Sequence, residues 1–214
     1  MALEPAKYNK LEALRHQTIS AGLALRNRPH TAIESRIADP RRDGYNTGMT
    51  LPSPMSAPNG GLSFRLADLA ATAALADALA QRARAGDVIA LHGTLGAGKT
   101  AFARAFITAR MPDVGDVPSP TFTLVQTYDM ADPAIWHFDL YRLDKPDDAL
   151  ELGLDEAFND AISLIEWPER LGPYLPRRAL HLHLEFVGQG SGEGARIAHV
   201  TGAGDWPARL ETLT

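Results

Sequence analysis

The sequence predicts an α/β fold, and three features of the chain lead to it. The apolar run Asp87-Val88-Ile89-Ala90-Leu91-His92 enters Gly93-Thr94-Leu95-Gly96-Ala97-Gly98-Lys99-Thr100, and the helix-forming run Thr100-Ala101-Phe102-Ala103-Arg104-Ala105-Phe106-Ile107 comes next. Strand, glycine loop and helix in that order make a nest of backbone N–H groups at a positive helix end. Further apolar strand-like runs at residues 134–141 and 161–167 alternate with helix-like stretches. The period-two run 180–187 and its return at 195–201 then form a C-terminal hairpin.

Residues 1–61 differ in character from the rest of the chain. They hold Pro5, Pro29, Pro40, Pro52, Pro54 and Pro58, and eight basic against five acidic side chains, a net +3 that leaves −8 on the remainder. Leu11 to Leu25 suits a short helix, and Thr50 to Gly61 reads as a disordered linker. The expectation is a disordered or loosely helical extension over 1–61 and a nucleotide-binding domain over 62–214. A targeting peptide fits poorly, because the segment contains acids and lacks an apolar signal core. An extension, or a start codon placed upstream of Met49 and Met55, is the preferred reading.

The compact part reads in order. Ser63-Phe64-Arg65-Leu66 is a short strand. Ala67 to Arg84 is rich in alanine and leucine, with Leu69, Leu75 and Leu79 among its apolar positions, and predicts a helix ended by Gly86. Met111-Pro112 stops the helix after the glycine loop. Ser119 to Tyr128 is a loop entering a strand. The short spacer Asp129 to Pro133 before the next strand, Ala134 to Tyr141, fits an antiparallel hairpin. Ala149 to Phe158 makes one or two short helices, and Ala161 to Trp167 is an apolar strand with the acid Glu166 near its end. Leu180 to Val187 is a half-buried strand, Gly188 to Gly194 a flexible loop, Ala195 to Thr201 the hairpin partner, and Trp206 to Leu213 a terminal helix.

The glycine loop satisfies G-x-x-x-x-G-K-[ST] at every fixed position. Glycine is needed because a Cβ would block phosphate oxygens or forbid the backbone angles. The pattern makes Leu95, Gly96, Ala97, Gly98, Lys99, Thr100 and Ala101 the nucleotide cradle, with Lys99 on the β- and γ-phosphates and the Thr100 hydroxyl on Mg²⁺. Mg²⁺ takes oxygen ligands, so an acid at the end of a neighbouring strand is required. Glu166 has the position of a Walker-B acid, and Asp139 within His137-Phe138-Asp139-Leu140-Tyr141-Arg142 is the second candidate. Arg142 has two readings, pairing with an acid or touching phosphate. Trp136 and Trp167 read as core or as base-stacking rings. His181 and His183 share a strand face, yet no Cys, third His or acid at ligand spacing accompanies them, so no zinc site is expected; His92 reads as strand-end packing.

Composition narrows the classes further. Hydrophobic residues make up 45% of the 214, and no apolar run is long enough to cross a membrane. The absence of cysteine excludes disulfides, thiol catalysis and Cys-based zinc sites, and suits a cytoplasmic protein. A net charge of −5 argues against broad nonspecific nucleic-acid binding. No Asn-Lys-x-Asp comes after the loop, which favours ATP over GTP. A small-molecule P-loop kinase is the competing reading, although no arginine-rich lid comes after the loop helix.

The glycine loop, then Ser119-Pro120-Thr121-Phe122-Thr123-Leu124-Val125, then His137-Phe138-Asp139-Leu140-Tyr141-Arg142-Leu143, then Leu164-Ile165-Glu166-Trp167-Pro168-Glu169, resemble in this order the TsaE (YjeE) family. That family is the ATPase component of the bacterial tRNA threonylcarbamoyladenosine machinery. The resemblance spans about Ser63 to Gly204. It implies a P-loop NTPase-like three-layer fold with a mixed parallel/antiparallel sheet, and an ATPase weak alone and stimulated by partners. TsaD and TsaB are the implied partners, with tRNA engaged only indirectly. They modify adenosine 37 of tRNAs reading codons that begin with A, and this chain would reset their complex between cycles. The resemblance also assigns Glu166 to Mg²⁺, Asp139 to hydrolysis, Ser119, Pro120 and Thr121 to a switch loop, and Trp167, Thr72 and Arg196 to the nucleotide. Thr94 departs from the family, where an acid is common, but it sits at a variable loop position.

Overall fold

The computed structural model describes residues 50–57, 61–187 and 194–213, so the expectations for 1–49 and for the loop at 188–193 lie outside it. In chain order the elements are β1 (Met55–Ser56), β2 (Leu62–Leu66), α1 (Leu69–Ala80), β3 (Val88–His92), α2 (Lys99–Arg110), β4 (Val125–Tyr128) and β5 (Ile135–Asp139). Beyond them lie a 3-10 segment (Pro146–Leu152), α3 (Leu154–Asp160), β6 (Ile162–Glu166), a second 3-10 segment (Pro168–Tyr174), β7 (Leu180–Phe186), β8 (Arg196–Gly202), α4 (Trp206–Leu210) and a 3-10 turn (Glu211–Leu213).

Among the described residues, eight strands form one sheet in the order β1-β2-β8-β7-β3-β6-β5-β4. β7, β3, β6 and β5 are mutually parallel, while β1, β2 and β8 on one side and β4 on the other pair antiparallel. The mixed sheet and both expected hairpins are therefore present. The linker expectation for 50–61 is corrected at one point. Met55 pairs with Ser63 and Ser56 with Leu62, so this stretch supplies an edge strand that satisfies backbone groups β2 would otherwise expose.

α1 is shorter than its apolar pattern suggests. Its start is fixed by Asp68, whose carboxylate accepts the Ala71 N–H at 2.8 Å. Its end comes at Ala80, before Gly86: the Gln81 and Ala83 N–H groups still reach back to the Asp77 and Leu79 carbonyls, but the Arg84 N–H turns to a side chain instead. Arg82 reaches the carbonyls of Arg209 and Thr212, and the Arg84 N–H donates to the Asp87 carboxylate at 2.7 Å. Asp87 is in turn held by Arg209 at 2.6 and 2.8 Å.

Two apolar clusters lie on opposite faces of the sheet. Phe64, Leu75, Leu79, Phe102 and Phe106 join the face covered by α1 and α2; Val88, Phe138, Ile165 and Leu171 fill the other. Trp136 belongs to the second cluster, stacking on Phe138 with centroids 6.0 Å apart, and so is a packing residue. In β7 the buried Leu180, Leu182 and Leu184 alternate with the less buried His181, His183 and Glu185, so that strand keeps one polar face. Among the described residues, no helix is long and apolar enough to cross a membrane. Because β3, β6 and β5 are parallel neighbours, their carboxyl ends open together at one edge of the sheet, where ligands of such folds bind.

Candidate nucleotide site

The glycine loop joins the carboxyl end of β3 to the amino end of α2. Gly93, Gly96 and Gly98 take φ values of 138°, 78° and 110°, a region that side chains rarely enter. A Cβ on Gly93 would lie 2.5 Å from the Leu184 carbonyl oxygen and 2.9 Å from the Ala97 Cβ, while one on Gly98 would meet nothing within 4 Å. Gly93 thus lets the loop pack on β7, and Gly98 leaves its backbone open. We expect Gly93→Ala to cost about 1–3 kcal/mol of stability through backbone strain alone, with nucleotide affinity falling alongside; urea unfolding and nucleotide titration measure the two.

Lys99 is 4% exposed. Its ammonium donates to the carbonyls of Gly93 at 2.7 Å and Thr94 at 2.9 Å and lies 3.9 Å from the centre of the Trp167 ring. Burial pulls its pKa below the usual lysine value, and the charges of Glu166, Glu169 and Asp139 oppose that shift. Trp167 has φ 59°, left-handed for a bulky residue, and its ring also meets Tyr141 at 5.0 Å.

The two predicted acids stand side by side, since Asp139 of β5 pairs in register with Glu166 of β6. The Thr100 hydroxyl donates to one oxygen of Glu166 at 2.9 Å, and His137 Nε2 donates to the other at 3.0 Å. Glu166 is 2% exposed and His137 fully buried, so the imidazole fixes the carboxylate from beneath. Asp139 accepts from Ser119 at 2.9 Å and Thr121 at 2.5 Å through one oxygen, and from the Tyr141 N–H at 3.2 Å through the other.

These groups line one cleft of about 230 Å³, which contains Leu95, Gly96, Gly98, Lys99, Thr100, Ser119, Thr121, Asp139, Glu166 and Trp167. A second cleft, sharing Gly96 and Gly98 with the first, is lined by Thr72, Ala97, Ala101 and Arg196. Thr72 there donates to the Asp68 carbonyl at 3.1 Å, and the Arg196 guanidinium lies 5.0 Å from the Phe186 ring centre. Every residue predicted to touch nucleotide therefore lies in one of two adjoining clefts. Pro120 lines neither; it is buried, and its carbonyl accepts the Leu124 N–H at 2.6 Å. It shapes the loop, with Leu124 at φ 66°. Arg142 sits over the Phe122 ring at 4.5 Å.

Sequence reading missed the role of His137 and the place of Tyr141 in the cleft wall. Both lie in the His137-to-Leu143 segment, but only the β5–β6 register puts His137 against Glu166. The expectation that His181 and His183 lack a third imidazole is also corrected. His92 pairs in register with His183 and supplies it.

The sheet, the glycine loop and the acids beside it define a P-loop NTPase-like α/β protein. The family model described as "Threonylcarbamoyl adenosine biosynthesis protein TsaE" matches residues 66–193. The chain belongs to the TsaE family. It is 41% identical over 116 residues to the tRNA threonylcarbamoyladenosine biosynthesis protein TsaE of Rickettsia felis, covering 54% of this chain and 68% of that one. The Bacillus subtilis protein of the same name is 35% identical over 128 residues, covering 59% and 79%. A crystal structure of Bacillus subtilis YdiB superposes with a TM-score of 0.58 at 29% identity, covering 71% of this chain and 92% of that one.

Proposed function

We propose that this chain is a Mg²⁺-dependent ATPase that supports threonylcarbamoylation of adenosine 37 in tRNAs by binding and resetting a TsaB–TsaD complex. Family membership ties it to tRNA threonylcarbamoyladenosine biosynthesis. The activity and the partners are the further step, and a cytoplasmic setting goes with them. The observation that carries the reading is the convergence of Lys99, the Thr100–Glu166–His137 chain and Asp139 on one cleft at the mouth of the glycine loop.

The donor set fits the implied ligands. Backbone N–H groups from Gly96 to Thr100 and the Lys99 ammonium suit a polyphosphate. The Thr100 hydroxyl and the Glu166 carboxylate are the hard oxygens that Mg²⁺ takes, and Mg²⁺ bound there neutralises phosphate charge. His137 keeps Glu166 turned toward Thr100. Asp139 holds the hydroxyls of Ser119 and Thr121 at the cleft, and its carboxylate is the group placed to align an attacking water. Loop 116–123 meets the site through these two hydroxyls and Asp139, and is suited to shift there when the terminal phosphate leaves. Leu95 and Phe122 at the rim are 75% and 76% exposed, a surface suited to a protein partner that completes the site.

The test is ATP turnover by the purified chain, alone and with TsaB and TsaD. The account expects slow hydrolysis that rises when the pair is added. Unchanged turnover would count against the role, and phosphorylation of sugar, nucleoside or amide acceptors without partners would favour the small-molecule kinase.

A further inference from the structure

The polar face of the sheet carries a second cluster of chemistry, which the nucleotide site does not use. His92 ends β3 and pairs in register with His183 of β7, so both imidazoles leave the same face; His181, two residues earlier on β7, joins them. His92 and His183 stack with centroids 4.1 Å apart, and His92 Nε2 lies 2.9 Å from His181 Nδ1. One nitrogen from each ring lies within 4.8 Å of the others. Glu169 places a carboxylate oxygen 4.0 Å from His92 Nδ1, the ring nitrogen turned away from His181.

We propose that His92, His181 and His183 form a site for a late first-row divalent transition metal, with Zn²⁺ as the expected occupant. Three imidazoles without thiolate suit zinc, copper or nickel, whereas magnesium and calcium prefer the all-oxygen set at Thr100 and Glu166. A tetrahedral ion with Zn–N of about 2.0–2.1 Å needs nitrogens roughly 3.3 Å apart. His92 and His181 are already close to that spacing, and the exposed His183 ring has room to rotate inward. The hydrogen shared between His92 and His181 occupies the place of a cation, so metal uptake requires the ring that carries it to shift its N–H to its other nitrogen. Burial, with His183, His181 and Lys99 nearby, lowers the His92 pKa to about 4, and burial lowers those of His181 and His183 as well. A neutral imidazole is the form that ligates metal. Glu169, 4.0 Å from the second nitrogen of His92, would have to close in by about 1 Å to hydrogen-bond that ring, as carboxylates do for metal-bound histidines. Because all three rings stand on hydrogen-bonded strands, the site is held by the sheet rather than by a loop. An ion there would clasp β3 to β7 directly before Gly93.

The experiment uses the full chain with any affinity tag removed, in excess Mg²⁺ so that the oxygen site is occupied. Co²⁺ is titrated as the spectroscopic probe, and Zn²⁺ binding is measured by calorimetry and by the thermal midpoint. The proposal expects intense visible bands of four-coordinate Co²⁺, displaced by Zn²⁺, and a raised midpoint with Zn²⁺. His181→Ala and His183→Asn are each expected to weaken binding by on the order of 100-fold and Glu169→Gln by about tenfold. Gln126→Ala, on the edge strand β4 at the far side of the sheet, should leave it unchanged. Circular dichroism without metal separates lost binding from lost folding, and His183, being exposed, is the variant that folding tolerates best. Only the weak spectrum of six-coordinate Co²⁺, or uptake indifferent to His181→Ala and His183→Asn in folded protein, would overturn the site.

Discussion

Lys99→Ala is expected to lower ATP turnover by about 10²–10³-fold, the usual loss when one donor aimed at developing phosphate charge is removed. The expectation rests on where the ammonium is held. It bridges the carbonyls of two successive peptide units of the loop, those of Gly93 and Thr94, and lies against the Trp167 ring. Alanine removes the charge that faces Glu166, Glu169 and Asp139, and so leaves the acids beside the cleft less balanced. Nucleotide affinity should fall with turnover, because the lost interaction begins in the ground state. Steady-state kinetics and nucleotide titration on the same preparation check both. Unaltered turnover in a folded Lys99→Ala protein would remove the loop from the reaction.

Glu166→Gln should have the second large effect, and it separates charge from fold. Glutamine keeps the length of the side chain and one carbonyl acceptor, so the protein is expected to fold. The negative charge is lost, and the Mg²⁺ concentration needed for half-maximal turnover should rise sharply, with turnover itself down by about 10²-fold. Glu166→Ala should behave differently. It strips the Thr100 hydroxyl and His137 Nε2 of their acceptor, and His137 Nδ1 is already without a partner. Leaving the fully buried His137 ring without a partner costs about 1–3 kcal/mol, whereas the Thr100 hydroxyl at the cleft can turn to water. Urea unfolding should therefore show a clear loss for alanine and a small one for glutamine, while Mg²⁺-dependent kinetics fail for both. Equal stability losses with normal Mg²⁺ dependence would make Glu166 a structural residue.

The glycine loop was legible because strand, loop and helix are contiguous, so local spacing carries the whole arrangement. The acids were legible one at a time, each at the end of an apolar run, and their adjacency depended on β5 and β6 being parallel neighbours in register. No local pattern announces that His137 meets Glu166 across 29 positions. The same is true of His92 and His181, which are 89 positions apart. The His181-x-His183 alternation was visible, but its third member is supplied by the β3–β7 register. α1 was overextended because its apolar pattern runs on past Ala80, while the Arg84 N–H is taken by the Asp87 carboxylate that Arg209 holds in place. A side-chain acceptor decided the helix end, and strand register at long range decided the histidine cluster.

The central claim is that a triphosphate and a divalent cation are held together by the glycine loop, Thr100 and Glu166. A crystal structure with Mg²⁺ and a non-hydrolysable ATP analogue tests it most directly. The account predicts phosphate oxygens on the backbone N–H groups of Gly96 to Thr100 and on Lys99, with the cation beside the Thr100 hydroxyl and on the Glu166 side of the cleft. Nucleotide found away from the loop, or phosphates in the loop with the cation remote from both Thr100 and Glu166, would contradict it.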